Sequence, residues 1–389
     1  MKILIVVLDS NLGGVTSSAV NFAKELVEHG NEVYFLDMSA QILRRKLLPE
    51  AVQVVCLEGA SSKWNIGLED IRNAKGFRKL GILLLGAVKK LTIRSGLWYQ
   101  MIFSRFDRYG EFDVAIAFRQ CDPCYSFVIN KVSAKKKIGF VHGELKYMGD
   151  ISSWKRHMTK FHKIAYVSNA VREEFVAAHS ELAANACTIY NMFDRNRILR
   201  MAKEEPAIVF DKSKTNIVTV ARIDNAFKQI HWIPQICAKL KDQTKVPFHW
   251  YVVGNGPDYD STVKLSEKLD VTEVLTFTGE QENPFVIMKN ADFTVLTSKS
   301  EAYPMVVMES LILEKPIVVA GFATITEMMT TEKHGLIANQ SIESLTDSII
   351  KMIENRDGIR ETCRDGLAAA VVTNNIAYSQ FLDAIGGKQ

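Results

Sequence analysis

At 389 residues, 47% hydrophobic and 24% charged, the chain has the length and composition of a globular protein with two cores. Six cysteines scattered at positions 56, 121, 124, 187, 237 and 363 exclude a disulfide framework and fit a reducing cytoplasm. A net charge of +4 without a nucleic-acid motif sets nucleic acid aside as a partner.

The apolar run Ile3 to Leu8 is too short for a signal sequence and ends at Asp9, so it reads as a buried first strand. The following turn, Asp-Ser-Asn-Leu-Gly-Gly-Val-Thr, carries Gly13 and Gly14, which allow a ligand close to the backbone. It lacks the G-x-G-x-x-G spacing that a nicotinamide cofactor needs. A helix is predicted from Val15 to His29, with Gly30 as its stop. Further strands are predicted at Glu32 to Leu36, Val52 to Cys56, Asp113 to Phe118, Lys137 to Val141 and Ile164 to Val167. Cys121-Asp-Pro-Cys124 has redox-like spacing, but it has no second pair for zinc and neither redox nor metal function is assigned to it.

Asp194 to Lys214 is charged, lacks strand alternation and reads as a linker. Beyond it, strands are predicted at Ile217 to Ala221, Trp250 to Gly254, Val274 to Gly279, Phe293 to Leu296 and Pro316 to Ala320. Helices are predicted at Trp232 to Lys239, Tyr259 to Leu269, Pro304 to Leu313 and Ile342 to Ile353. Alternating strands and helices predict parallel sheets covered on both faces. The expected domains are residues 1–200 and 201–370, with a tail, 371–389, that can return to the first. Asp258-Tyr-Asp260 has a metal-binding form but stands at a helix start, where capping explains it better.

Glu301-Ala-Tyr-Pro-Met-Val-Val-Met-Glu309 is the most informative stretch. Pro304 suits a helix start, so free amides near Tyr303, Pro304, Met305 and Val306 and the positive end of the helix dipole suit a diphosphate. Glu301 and Glu309 accept hydrogen bonds from paired hydroxyls, as on a sugar and a ribose.

The stretch Ser300 to Ser310 followed by Glu314 to Ala320 resembles the acidic motif, helix and next strand of family 4 retaining glycosyltransferases. Gly13-Gly14, Val141-His142-Gly143, Tyr166-Val167-Ser168, Ala221-Arg222 with Lys228, Gly254-Asn-Gly-Pro257 and His334-Gly-Leu336 match in order across most of the chain. The resemblance implies a GT-B fold, two Rossmann-like α/β domains with doubly wound parallel sheets facing across a cleft. It also implies transfer of a hexose from a nucleotide-diphosphate sugar, by family default a UDP-sugar, with retained configuration and neither metal nor cofactor. By the same resemblance Glu309 holds the ribose and Glu301 the transferred sugar. Arg222 and Lys228 neutralise the diphosphate, with Gly14, Gly254 and Tyr303 to Val306 also on the donor. His142 contacts the sugar, and Gly13, Gly14 and His142 border the acceptor, expected to be a saccharide or lipid-linked acceptor of cell-surface polysaccharide or glycolipid synthesis. The chain departs from the family where Gln229 follows Lys228 in place of glycine. A GT-B nucleotide-sugar epimerase and an inert partner subunit are the competing readings.

From Ile71 to Gly110 nine basic residues face one acid, so this segment carries +8 and the remainder −4. Leu80 to Val88 is far too short to span a bilayer. With Lys79, Lys89, Lys90 and Arg94 around it, and Trp98, Tyr99, Phe103 and Phe106 beyond, residues 72–108 suit the surface of an anionic membrane, reached from the cytoplasm. Ordinary helices with solvated basic faces are the alternative.

Overall fold

The computed structural model describes residues 1–8, 14–38, 47–55, 74–92, 106–206, 208–329, 334–355 and 366–387. Gly13 and most of the segments flanking the helix Gly76–Thr92 lie outside them.

The chain divides into two units. The first comprises Met1–Val167, Val171–Met192 and Ala377–Gln389; the second comprises Ser168–Ala170 and Phe193–Ile376. The crossing thus comes at Met192–Phe193, ahead of the expected boundary after residue 200. Asp194 to Lys214, anticipated as a linker, lies inside the second unit because the Asp194 side chain accepts the Arg197 amide at 2.8 Å and starts a helix, Arg195–Met201.

Seven strands form the first sheet: β1 (Lys2–Val7), β2 (Glu32–Asp37), β3 (Gln53–Val55), β4 (Phe112–Ala117), β5 (Ala134–Val141), β6 (Lys163–Tyr166) and β7 (Ala186–Thr188). Their order is β3-β2-β1-β4-β5-β6-β7, and every pairing is parallel. β1 is buried from Ile3 to Val7, as a parallel strand covered on both faces must be. The returning C-terminal segment joins this core: Phe381 meets Phe22 edge-on at 5.5 Å, and the Gln380 side chain accepts the Tyr190 amide at 3.0 Å.

Six strands form the second sheet: β8 (Thr215–Val220), β9 (Phe248–Val253), β10 (Leu275–Gly279), β11 (Phe293–Leu296), β12 (Ile317–Ala320) and β13 (Gly335–Ala338). Their order is β10-β9-β8-β11-β12-β13, again parallel throughout. The first strand of each unit lies between its second and its fourth, so each sheet reverses its winding at one point, β1/β4 and β8/β11. Open α/β sheets bind ligands beyond the carboxyl ends of the strands at such a point. In the second core the buried Trp250 donates its indole N–H to Thr219 Oγ1 at 3.1 Å, and Thr219 donates to the Val295 carbonyl at 2.8 Å, which ties β8, β9 and β11 together.

Candidate active site

Two loops leave the carboxyl ends of β8 and β11, the neighbours at the winding reversal of the second sheet. The loop after β8 carries Arg222 and Lys228. Its path is set by glycines on the loop after β9: a Cβ on Gly254, whose φ is +142°, would lie 2.0 Å from the Ala221 carbonyl oxygen, and one on Gly256 would lie 2.2 Å from that of Ile223. Backbone bonds use this closeness, since Ala221 donates to Val253 at 3.0 Å and Ile223 to Asn255 at 3.0 Å. Gly254→Ala is therefore expected to destabilise the protein by about 3 kcal/mol or more, read as a fall in the denaturation midpoint.

Asp258 occupies the position before its helix, Tyr259–Lys268, but its side chain does not cap it. The carboxylate instead accepts the Asn225 amide at 2.6 Å, holding the β8 loop from the side. The Asn225 side chain accepts the His231 amide at 3.0 Å and donates to Thr262 at 3.2 Å. Thus the capping expected of Asp258 gives way to a loop anchor.

The loop after β11 is latched to the same segment. Thr297 Oγ1 donates to the Lys228 carbonyl at 2.6 Å, and the Lys299 amide donates to the Phe227 carbonyl at 2.8 Å. This brings the Lys228 ammonium onto the Glu301 carboxylate as an ion pair, with 26% and 15% of the two side chains exposed. Ser298 Oγ donates to the same Glu301 oxygen at 2.7 Å, and Thr324 Oγ1 donates to the Glu301 carbonyl at 2.6 Å. Arg222, by contrast, is exposed, and its guanidinium forms no ion pair with any described residue. It remains a solvated cation at the end of β8.

Gln229, where the family carries glycine, has φ +50° and a buried side-chain oxygen without a hydrogen-bond partner among the described residues. Glycine adopts this left-handed backbone without strain. Gln229→Gly is expected to stabilise the fold by about 1 kcal/mol while leaving the Lys228–Glu301 pair in place, measured by chemical denaturation.

Pro304 precedes rather than begins its helix, Met305–Ile312, with φ −69° and ψ 113°. The first-turn amides of Met305 and Val306 open this helix, so they carry the free N–H groups that every helix start presents. Tyr303 and Pro304 are buried before it. Glu309 lies within the helix, half-buried by exposed area but with its carboxyl enclosed by protein. Burial pushes that carboxyl up to about 7, against the opposing pull of the Arg197 guanidinium. Arg197 is absent from the sequence reading: it comes from the helix Arg195–Met201, and only the folded unit sets it near Glu309.

In the first unit Gly14 opens the helix Gly14–Glu28 beyond β1. His142 follows β5, its amide donating to Gln120 Oε1 at 3.2 Å and its ring 4.8 Å from Phe118 and 5.6 Å from Phe140. Burial lowers its imidazole to about 3, so it is neutral across the physiological range, and Nε2 has no hydrogen-bond partner among the described residues. A neutral ring suits positioning rather than proton removal. If His142 only positions its ligand, His142→Gln is expected to lower activity without changing the pH dependence of kcat between about pH 5 and 8.

Residues 201–366, within the second unit, match the family model of glycosyl transferases group 1. The N-acetyl-alpha-D-glucosaminyl L-malate synthase of Bacillus anthracis is 23% identical over 173 residues, 41% of this chain and 44% of that protein's own length. Among solved structures, Anabaena Alr3699/HepE in complex with UDP has a TM-score of 0.68 at 16% identity, covering 99% of this chain and 100% of its own. An S. aureus TarM variant in complex with fondaparinux, alpha-GlcNAc-glycerol and UDP has a TM-score of 0.72 at 14% identity, covering 100% of both chains. At these identities the likeness is one of fold, the two-unit parallel α/β architecture of GT-B glycosyltransferases.

Proposed function

We propose that the protein is a retaining glycosyltransferase that moves a hexose from a UDP-sugar to a saccharide or lipid-linked acceptor in cell-surface polysaccharide or glycolipid synthesis. The observation that carries this reading is the latch between the β8 and β11 loops, which sets Lys228 against Glu301 at the winding reversal of the second sheet. Breaking a sugar–phosphate bond builds negative charge on the departing diphosphate. Lys228 and the first-turn amides of Met305 and Val306 are fixed positive groups able to stabilise that charge, and the solvated Arg222 adds a further cation, so the mechanism is assigned no metal. Glu301, still paired with Lys228 through one oxygen, accepts from sugar hydroxyls with the other, Glu309 accepts from the ribose, and neutral His142 orients the transferred sugar.

A thermal-shift screen across nucleotide-diphosphate sugars tests the donor, because a ligand of the folded state alone raises the melting temperature. A UDP-sugar is expected to give the largest rise, and no rise with any member of the series removes the reading. Nucleotide release that depends on added acceptor separates transfer from epimerisation, and binding without turnover identifies an inert partner. Among the described residues no helix is long and apolar enough to cross a membrane.

A further inference from the structure

We infer that the helix Gly76–Thr92 docks the protein on an anionic lipid surface, lying along that surface with the side of Phe77, Leu80, Leu84 and Leu91 inserted. The inference rests on the first unit alone and is independent of the donor site. At 3.6 residues per turn Phe77, Leu80, Leu84, Ala87 and Leu91 share a stripe about 80° wide. All five are exposed, Phe77 to 95%, Leu80 to 57%, Leu84 to 61% and Leu91 to 82%. A surface helix ordinarily turns its charges outward and its leucines inward. Here the half-buried side is Ile82, Leu85, Gly86 and Lys89, and the large apolar side chains face out.

Charge decides what covers the stripe. Exposed Lys79 and Lys90 lie on one border of it, three turns apart, exposed Lys75 precedes the helix, and the helix contains no acid. A second copy would bring these lysines against their counterparts, whereas a layer of anionic headgroups above an apolar interior matches both the lysine row and the stripe. Lysines at 79, 89 and 90 within a helix of 17 residues suit an in-plane position, not a span.

The test is sedimentation of the full-length protein with phosphatidylcholine vesicles, with and without phosphatidylglycerol. Binding is expected to the anionic vesicles at low salt, to weaken as salt rises, and to be slight with phosphatidylcholine alone. The double variant Phe77→Ser and Leu84→Ser is expected to bind about tenfold more weakly or less, because it removes two inserted side chains. Lys79→Glu with Lys90→Glu should flatten the salt dependence. Both pairs lie on the exposed side, so unchanged melting and an unchanged donor-induced thermal shift confirm that fold and donor site survive. Failure to bind anionic vesicles at low salt overturns the inference, as does undiminished binding of the Phe77/Leu84 variant. So does a concentration-dependent dimer that this variant dissociates while vesicles capture neither form, which would make a second copy the occupant.

Discussion

Lys228→Ala is expected to slow sugar transfer about a hundredfold or more, because one preorganised contact to developing charge is worth ~2.7–4 kcal/mol. The ammonium is held ready by Glu301, and the main chain of Lys228 is fixed by Thr297, so the cation need not be reorganised as the bond breaks. Without it, Glu301 retains Ser298 as a donor but loses its counter-charge. The Glu301→Ala variant should be impaired similarly, and the double variant less than the product of the two, since both single changes break the same ion pair. Steady-state kinetics on the four proteins, with donor and acceptor varied, tests this. Single-variant rates within a few-fold of the parent would remove both residues from the chemistry.

The strand positions and their parallel pairing were legible because parallel strands buried on both faces read as apolar runs, and the loop after β11 stood out because Glu301, Pro304 and Glu309 have a spacing that few local structures need. Two strands escaped. β7 (Ala186–Thr188) is three residues long, and β13 (Gly335–Ala338) opens on a glycine whose Cβ would lie 1.9 Å from the Ile317 carbonyl oxygen, so a residue that weakens the strand pattern is what lets the strands approach. β5 begins at Ala134, ahead of its expected start, because Lys135 and Lys136 break the apolar run while their backbone still pairs: Lys136 stands beside Val114.

At the candidate site the sequence singled out residues but not the contacts between them. Lys228 and Glu301 were both identified, yet their ion pair depends on Thr297 and Lys299 gripping the β8 loop, contacts between segments far apart in the chain. Asp258 illustrates the opposite failure. Its place before a helix predicts a cap, but the nearby Asn225 amide is the donor it accepts from. Arg197 carried no signal at all, since a basic residue in a charged stretch is ordinarily solvated.

Glu309→Gln is expected to stabilise the ligand-free protein and to weaken donor binding, with opposite consequences from one carboxyl. In the unfolded chain this group titrates in the ordinary carboxylate range; in the folded unit burial holds its proton until about pH 7. At low pH both states are protonated and the group has no effect on stability. As pH rises, the unfolded chain releases the proton first, so stability falls up to about pH 7 and the penalty is constant above it. With its partial opening to water considered, that penalty is about 2 kcal/mol. The glutamine variant should therefore melt higher than the parent at pH 8, and the gain should shrink to a fraction near pH 5, as recorded by calorimetry at both values. Donor binding has the reverse dependence. Only the ionised carboxylate accepts strongly from both ribose hydroxyls, so affinity for a UDP-sugar should rise through about pH 7. The sugar-capped diphosphate has no proton to lose there, so the slope belongs to the protein. Glu309→Gln should bind about tenfold more weakly at pH 8 and lose the slope, since a hydrogen bond to a charged group is worth ~1.5–3 kcal/mol. A titration series that kept the same slope in the variant would assign the ionisation to another group and detach Glu309 from the ribose.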